Sequence, residues 1–327
     1  MEIPNGKTLI AWGAGPTFEL MRAHAPEIQP AYLVDRQAEK LGDVHHGIPV
    51  LSPVELGESR LQNAFFLITA HSAVSIRSIF DHLSHLGLRF GHDFCDLSFL
   101  RLDSIRQRAK EQGLRVGSQE AFLEIHAEIL LGRVDLETTL CGSWLIDSLI
   151  AGGVPNPSHR IAEVGAFRCG NAMLQNWRMR RRGDFRGYDI FDSFEGFGAL
   201  SEFDPGHLGS AYSEEMYDFP LTRNLVELSP TLKIHKGFVP EVFSEVAREA
   251  VYDLVFFDCD LYQPALDTFE FFWDRLSPGG YLVFHDYVSY ARGWSGVAKA
   301  VDEITERKGL KAAVIWESTM AFLTKEC

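Results

Sequence analysis

The chain has 327 residues, enough for two domains, and its 46% hydrophobic and 23% charged content is that of an ordinary globular protein. A net charge of -14 argues against a nucleic-acid backbone or an anionic membrane surface as partner, since both need a basic face. The five cysteines, Cys95, Cys141, Cys169, Cys259 and Cys327, are scattered and form no CxxC pair, which suits reduced thiols rather than a disulfide frame or a zinc site. No apolar run approaches about 18 residues, and no basic stretch precedes an apolar one at the N-terminus, so a cytoplasmic location is expected.

In chain order, LIAWGAG reads as a buried strand entering a glycine turn, with a helix beginning near Pro16. AYLVD is a second strand ending in Asp35, GIPVLSP an extended piece stopped by Pro53, and AFFLITA a fourth strand followed by a helix through Ile76 to Leu86. Gly13 and Gly15 follow the first strand and Asp35 stands 20 residues past Gly15, half of a dinucleotide fingerprint whose third glycine is replaced by Phe18. His45, His46, His71, His82, His85 and His92 lack a spacing that argues for metal and read as surface or loop residues. Residues 102–151 are mostly helical in pattern. The expected organisation is a Rossmann-like α/β module over 1–100, a helical connector over 101–135 and a second α/β domain over 136–327.

In that second domain IAEVGAFRCG is a strand, a glycine turn and a helix start. Gly165 lets the backbone pass close to a ligand, the helix amino end favours an electronegative group, and Glu163 at the strand end could hold an ammonium or hydroxyl. The strand FRGYDIF ends in Asp192, with Ser193 beside it, 27 residues beyond Gly165, where a carboxylate can take ribose hydroxyls. IHKGF adds a strand end with Gly237 and Phe238. Arg178 to Arg186 reads as a solvated helix end. The stretch from Asp192 to Thr222 is acidic and aromatic, without Lys or Arg, and reads as a lid over an acceptor. Then LVFFDCDLYQPALDTFEFFWDRLSPGGYLVFHDY is a strand ending in Asp258 and Asp260, a helix, a Pro-Gly-Gly turn, and a strand ending in His285 and Asp286. Because a βαβ crossover brings the two strands side by side, these four side chains can converge on one hard cation or one proton.

GYDIFDSFEGFG, HKGFVPEVF, the Asp258–His285 block and GWSGVAKAVDEI together resemble the macrocin O-methyltransferase family over roughly residues 140 to 322. The resemblance implies a class I methyltransferase fold, S-adenosyl-L-methionine as methyl donor, and, in several members, a magnesium ion. It implies Glu163 and Gly165 at the methionine end of the donor, Asp192 at its ribose, Gly237 and Phe238 near its adenine, and Asp258 and Asp286 as metal ligands, with Asp258 also a candidate base. Two departures stand out. His285 replaces the first of two consecutive acids, and histidine suits magnesium poorly, so the metal is softer, or held by fewer ligands, or His285 acts as base without metal. Cys169 stands where the family tends to have a glycine. The expected activity is O-methylation of a hydroxyl on a sugar or other natural-product small molecule by a homo-oligomer. The rivals are a nicotinamide-dependent oxidoreductase using the N-terminal module and a scaffold without chemistry. On the first module, a similarity to Rossmann-like modules of sugar-modifying enzymes implies dimer contact or acceptor presentation.

Overall fold

The computed structural model describes residues 3–57, 61, 63–70, 73–130, 140–153, 155–210, 212–288 and 295–326. His71, and Gly293 and Trp294 of the GWSG block, lie outside them. The chain divides into two compact units, one of residues 1–107 with 123–140, the other of 108–122 with 141–327, so the stretch expected as a connector is shared between them. Among the described residues no helix is long and apolar enough to cross a membrane.

The N-terminal unit holds β1 (Thr8–Trp12), β2 (Tyr32–Val34), β3 (Val44–His45), β4 (Ile48–Leu51), β5 (Ala64–Ile68) and β6 (Phe94–Asp96), in the order β3-β4-β2-β1-β5-β6. All pairs are parallel except the β3–β4 hairpin. The chain winds from β1 out to β4, then returns to the other side of β1, leaving a switch point between β1 and β5. Gly13 sits there at φ 113, and a Cβ on it would stand 2.8 Å from Ala70 N. Phe18, where a third glycine would open the loop, is fully buried.

The C-terminal unit holds β7 (Arg160–Val164), β8 (Gly187–Asp192), β9 (Leu232–Lys236), β10 (Tyr252–Phe257), β11 (Leu276–Phe284), β12 (Ala313–Ile315) and β13 (Met320–Thr324). Their order is β12-β13-β11-β10-β7-β8-β9, parallel except for β13, which runs antiparallel to both neighbours. β10 and the Tyr281–Phe284 half of β11 are near-continuous apolar runs because both faces of a parallel sheet are covered. On one face Ala265, Phe269 and Phe272 of the helix Tyr262–Phe272 and Val297, Val301 and Ile304 of the helix Ser295–Lys308 join one core with Val164, Phe257 and Phe284.

Two expectations are corrected. Pro278–Gly280 is not a turn before a strand but a bulge inside β11: Leu276 pairs with Tyr252 and Tyr281 with Leu254, so four residues loop out opposite Asp253. The arginine run is solvated only in its middle, where Arg180, Arg181 and Arg182 are exposed; its two ends are not. Arg178 is buried with its Nε 3.0 Å from Asp147, and Arg186 is buried between Asp184 and Asp253. A buried guanidinium is retained only when paired, and each of these has its carboxylate.

Candidate active site

One row of backbone hydrogen bonds lines up the carboxyl edge of the C-terminal sheet. Gly237 N donates to Asp192 O (2.9 Å), Gly165 N to Phe191 O (2.8 Å), Asp258 N to Val164 O (2.7 Å) and His285 N to Phe257 O (2.9 Å). The residues singled out on five separate strand ends therefore stand side by side, one strand spacing apart. β7 and β10 flank the switch point, where the winding reverses and open α/β sheets bind ligands. Gly165 is required at this point: its φ is 85, and a Cβ would stand 2.4 Å from Asp258 O.

Glu163 is buried just inside the edge. Its Oε2 accepts from Tyr188 OH (2.7 Å) and Asn171 Nδ2 (2.9 Å). Burial raises its pKa to about 8, with those two bonds pulling back and the charges of Asp258 and Asp192 adding to the rise. Asp192 closes the glycine loop: Oδ2 accepts from Ala166 N (2.7 Å) and Phe167 N (2.9 Å), and Oδ1 from Phe194 N (2.7 Å). A carboxylate offers about four lone-pair sites, so three are spent on the protein. Ser193 is also engaged, donating to Gly196 O (2.7 Å) and accepting from Glu195 N (3.1 Å). Phe238 is exposed, its ring 3.5 Å from where a Cβ on Gly198 would stand. Asp35 in the N-terminal unit uses the same device, accepting from Ala14 N (2.9 Å) and Gln37 N (2.7 Å).

Asp258, His285 and Asp286 are brought together. His285 Nδ1 lies 2.8 Å from Asp258 Oδ1 and 3.2 Å from Asp286 Oδ2, an ion-pair separation with neither oxygen in line for a hydrogen bond. The other ring nitrogen explains the orientation. Thr319 Oγ1 donates to Ser318 O (2.6 Å), so it is left to accept from His285 Nε2–H (3.1 Å). With Nε2 holding a proton, Nδ1 presents either a lone pair toward two carboxylates, which is repulsive, or a positive charge. Burial opposes charging of His285, but Asp258 and Asp286 outweigh it and hold its pKa well above the usual value. Asp258 is raised by burial, with His285 pulling it back, and Asp260 is raised well above the usual carboxylate range by burial and by the neighbouring Asp286 carboxylate.

The sheet edge thus gathers three carboxyl groups and one imidazole, with Asp260, His285 and Asp286 buried. Ligand atoms of Asp258, His285 and Asp286 all lie within 4.8 Å of one another, and the buried Nδ1 has no aligned partner. That donor set fits a divalent cation, and two carboxylates with an imidazole favour manganese, iron or zinc over magnesium. Asp260 (φ 63), Asp286 (φ 56) and Thr319 (φ 62) hold left-handed conformations that non-glycine residues rarely adopt, the kind of strain that collects at functional sites.

The acidic aromatic segment packs its own rings against the glycine loop. Phe167 meets Tyr212 and Tyr217 at centroid distances of 5.4 and 5.1 Å, and Phe194 meets Phe219 at 4.5 Å. It is fastened at the start of the helix Tyr262–Phe272, where Tyr262 N donates to Asp204 Oδ1 (2.8 Å). Sequence reasoning missed Asn171, Tyr188 and Thr319. The first two lie on the elements that follow the glycine turn, where a polar residue in an apolar run was a usable signal; nothing in the sequence marks Thr319.

Residues 166–287 match the family model described as a methyltransferase domain. A curated relative from Streptomyces olivaceus, 8-demethyl-8-(2,3-dimethoxy-alpha-L-rhamnosyl)-tetracenomycin-C 4'-O-methyltransferase, is 28% identical over 198 residues, covering 54% of this chain and 72% of its own length. Among solved structures, the calicheamicin methyltransferase CalS11 superposes with a TM-score of 0.47 at 18% identity, over 65% of this chain and 95% of that one. The O-methyltransferase NovP gives 0.44 at 19%, over 70% and 100%. The matched stretch runs from the glycine loop through Asp258 to His285 and Asp286, the same edge the backbone row assembles. The C-terminal unit carries a methyltransferase domain of the class I fold, and the protein is an enzyme.

Proposed function

We propose that this enzyme transfers the methyl group of S-adenosylmethionine to a hydroxyl of a sugar or other natural-product small molecule, with a divalent cation held by Asp258, His285 and Asp286. The observation that carries the reading is the edge row, which sets Gly165 beside Asp258 and Asp258 beside His285. The acceptor class is taken from the relative's name, which describes methylation of a rhamnosyl compound. Glu163 holds the donor's ammonium, Gly165 admits its backbone, and Asp192 offers its remaining lone pair with Ser193 to the ribose. Gly237 and Phe238 flank the adenine. Residues 136–327 supply the reaction, 101–135 connect, and 1–100 present the acceptor or join subunits of a homo-oligomer.

An alcohol is a poor nucleophile at neutral pH, so the site must weaken its O–H bond. A cation on these three ligands would lower the hydroxyl pKa and orient the oxygen. Asp258 stands nearest the glycine loop and has the raised pKa of a group suited to take the proton. Without a cation His285 is an imidazolium with no lone pair at Nδ1 and serves as a base only after that proton leaves; with a cation in place of that proton it is a ligand, and Asp258 is the base. The aromatic segment excludes water from the sulfonium.

Calorimetry tests the donor. S-adenosylmethionine or its demethylated product should bind saturably at about micromolar Kd, about 8 kcal/mol. Binding of a nicotinamide nucleotide in its place would establish the oxidoreductase instead.

A further inference from the structure

Three side chains of the N-terminal unit that methyl transfer does not use converge at one point. Glu19 stands in the first turn of the helix Pro16–His24, His45 ends β3, and His46 occupies the turn of the β3–β4 hairpin. Glu19 Oε1 lies 3.3 Å from His45 Nε2 and 2.8 Å from His46 Nε2, and ligand atoms of all three lie within 4.8 Å of one another. The two imidazoles sit side by side, centroids 4.1 Å apart. His46 is held at φ 51 and Gly47 at φ 80, so the hairpin accepts a left-handed histidine to aim both rings at one oxygen. The spacing of histidines along the chain hid this, because the third member is an acid 26 residues upstream of His45 on another element.

The two separations from Glu19 Oε1 are those of hydrogen bonds and equally those of two donors on one ion. Nitrogen and oxygen ligands bind zinc at about 2.0–2.2 Å, so two donors on a common ion stand about 3.0 Å apart at a right angle and about 3.4 Å apart at a tetrahedral one. Without an ion, the same atoms direct two imidazole nitrogens at Oε1, while Oε2 faces Arg22 Nη1 at 3.5 Å. We propose that Glu19, His45 and His46 form a binding site for one divalent transition-metal ion, which fastens the β3–β4 hairpin to the first turn of the helix. Two imidazoles and a carboxylate select zinc, cobalt, nickel or copper over magnesium and calcium. Three protein ligands leave a fourth position for water, and the side chains are 27%, 24% and 36% exposed, within reach of an ion.

The test uses the full chain stripped of metal and titrated with zinc or cobalt alone, with bound metal counted per chain. Wild type should bind one equivalent that His46→Asn and Glu19→Gln lose or weaken by about tenfold or more. Asn tolerates the left-handed turn, so His46→Asn keeps the hairpin conformation. Asp286→Asn, in the other unit, should keep this equivalent, which distinguishes it from any metal at Asp258, His285 and Asp286. In an Asp286→Asn background, which removes the other cation site, the cobalt form should show the visible bands of a low-symmetry nitrogen–oxygen site, and adding His46→Asn should abolish them. In the same background zinc should raise the unfolding temperature, and adding His46→Asn should remove that rise. Equal stoichiometry and affinity in wild type and His46→Asn, or no binding to wild type, would overturn the proposal.

Discussion

Glu163→Gln isolates the charge state of the buried acid at the head of the site. The substitution keeps a carbonyl oxygen to accept from Tyr188 OH and Asn171 Nδ2, and removes only the ability to ionise. In the folded chain Glu163 titrates at about 8, against 4.5 for an unperturbed glutamate, because burial disfavours its charge. An acid with a raised folded pKa is a cost that grows with pH. Above 4.5 the unfolded chain sheds its proton while the folded chain retains it, so stability falls until the folded group also ionises near 8. Each pKa unit corresponds to about 1.4 kcal/mol, so wild type should lose about 1.4 kcal/mol per pH unit between about pH 5 and 8 from this residue alone, about 4 kcal/mol over the window. Urea denaturation of both proteins at matched pH values gives the difference directly, since other groups cancel. The advantage of Glu163→Gln should widen across the window and level off above about pH 8. If the two curves stay parallel, Glu163 carries its charge in the fold and the neutral-acid assignment is wrong. The same proton has a ligand signature. If the donor's ammonium pairs with Glu163, binding at about pH 7 should release close to one proton, read as heats that differ between phosphate and Tris buffers, and the variant should release none.

Four further outcomes follow from the geometry. Thr319→Val leaves His285 Nε2–H without its acceptor, a loss of about 1–3 kcal/mol. It should lower kcat with little change in donor affinity, and Thr319→Ser should restore the rate. Asp286→Asn should lower kcat more than it weakens donor binding; chelation should inactivate wild type, with manganese or magnesium restoring turnover, whereas full activity after exhaustive chelation would leave a metal-free mechanism. Asp192→Ala removes an acceptor for three backbone N–H groups as well as any ribose contact, so donor affinity should fall by about 1–3 kcal/mol, and the melting temperature should fall with it. Gly165→Ala places a methyl group against Asp258 O at a left-handed φ, and should abolish donor binding in a destabilised but folded protein, as judged by calorimetry and circular dichroism.

The strands were legible because burial imposes a period that the residues carry. β1, β5, β10 and the Tyr281–Phe284 half of β11 are apolar runs bounded by polar residues or glycine, and the pattern locates them without any tertiary knowledge. The α/β winding was legible for the same reason, and the class I fold through the family resemblance; Gly165, Asp192, Asp258, His285 and Asp286 were legible because they stand at strand ends where parallel winding must bring them to one edge. What the residues around them do was decided only in three dimensions. Thr319 sets which nitrogen of His285 faces the two aspartates, from a turn 34 residues away. Asp192 reads as a free ribose ligand in sequence, yet loop closure gives it three N–H groups. The two ends of the arginine run look solvated until Asp147 and Asp253 arrive from other elements to pair with Arg178 and Arg186. Glu19, His45 and His46 become neighbours only when a hairpin folds back on a helix. Periodicity is a local consequence of burial and survives in one dimension; hydrogen-bond partners and charge states depend on atoms from distant segments, and only the packed chain supplies them.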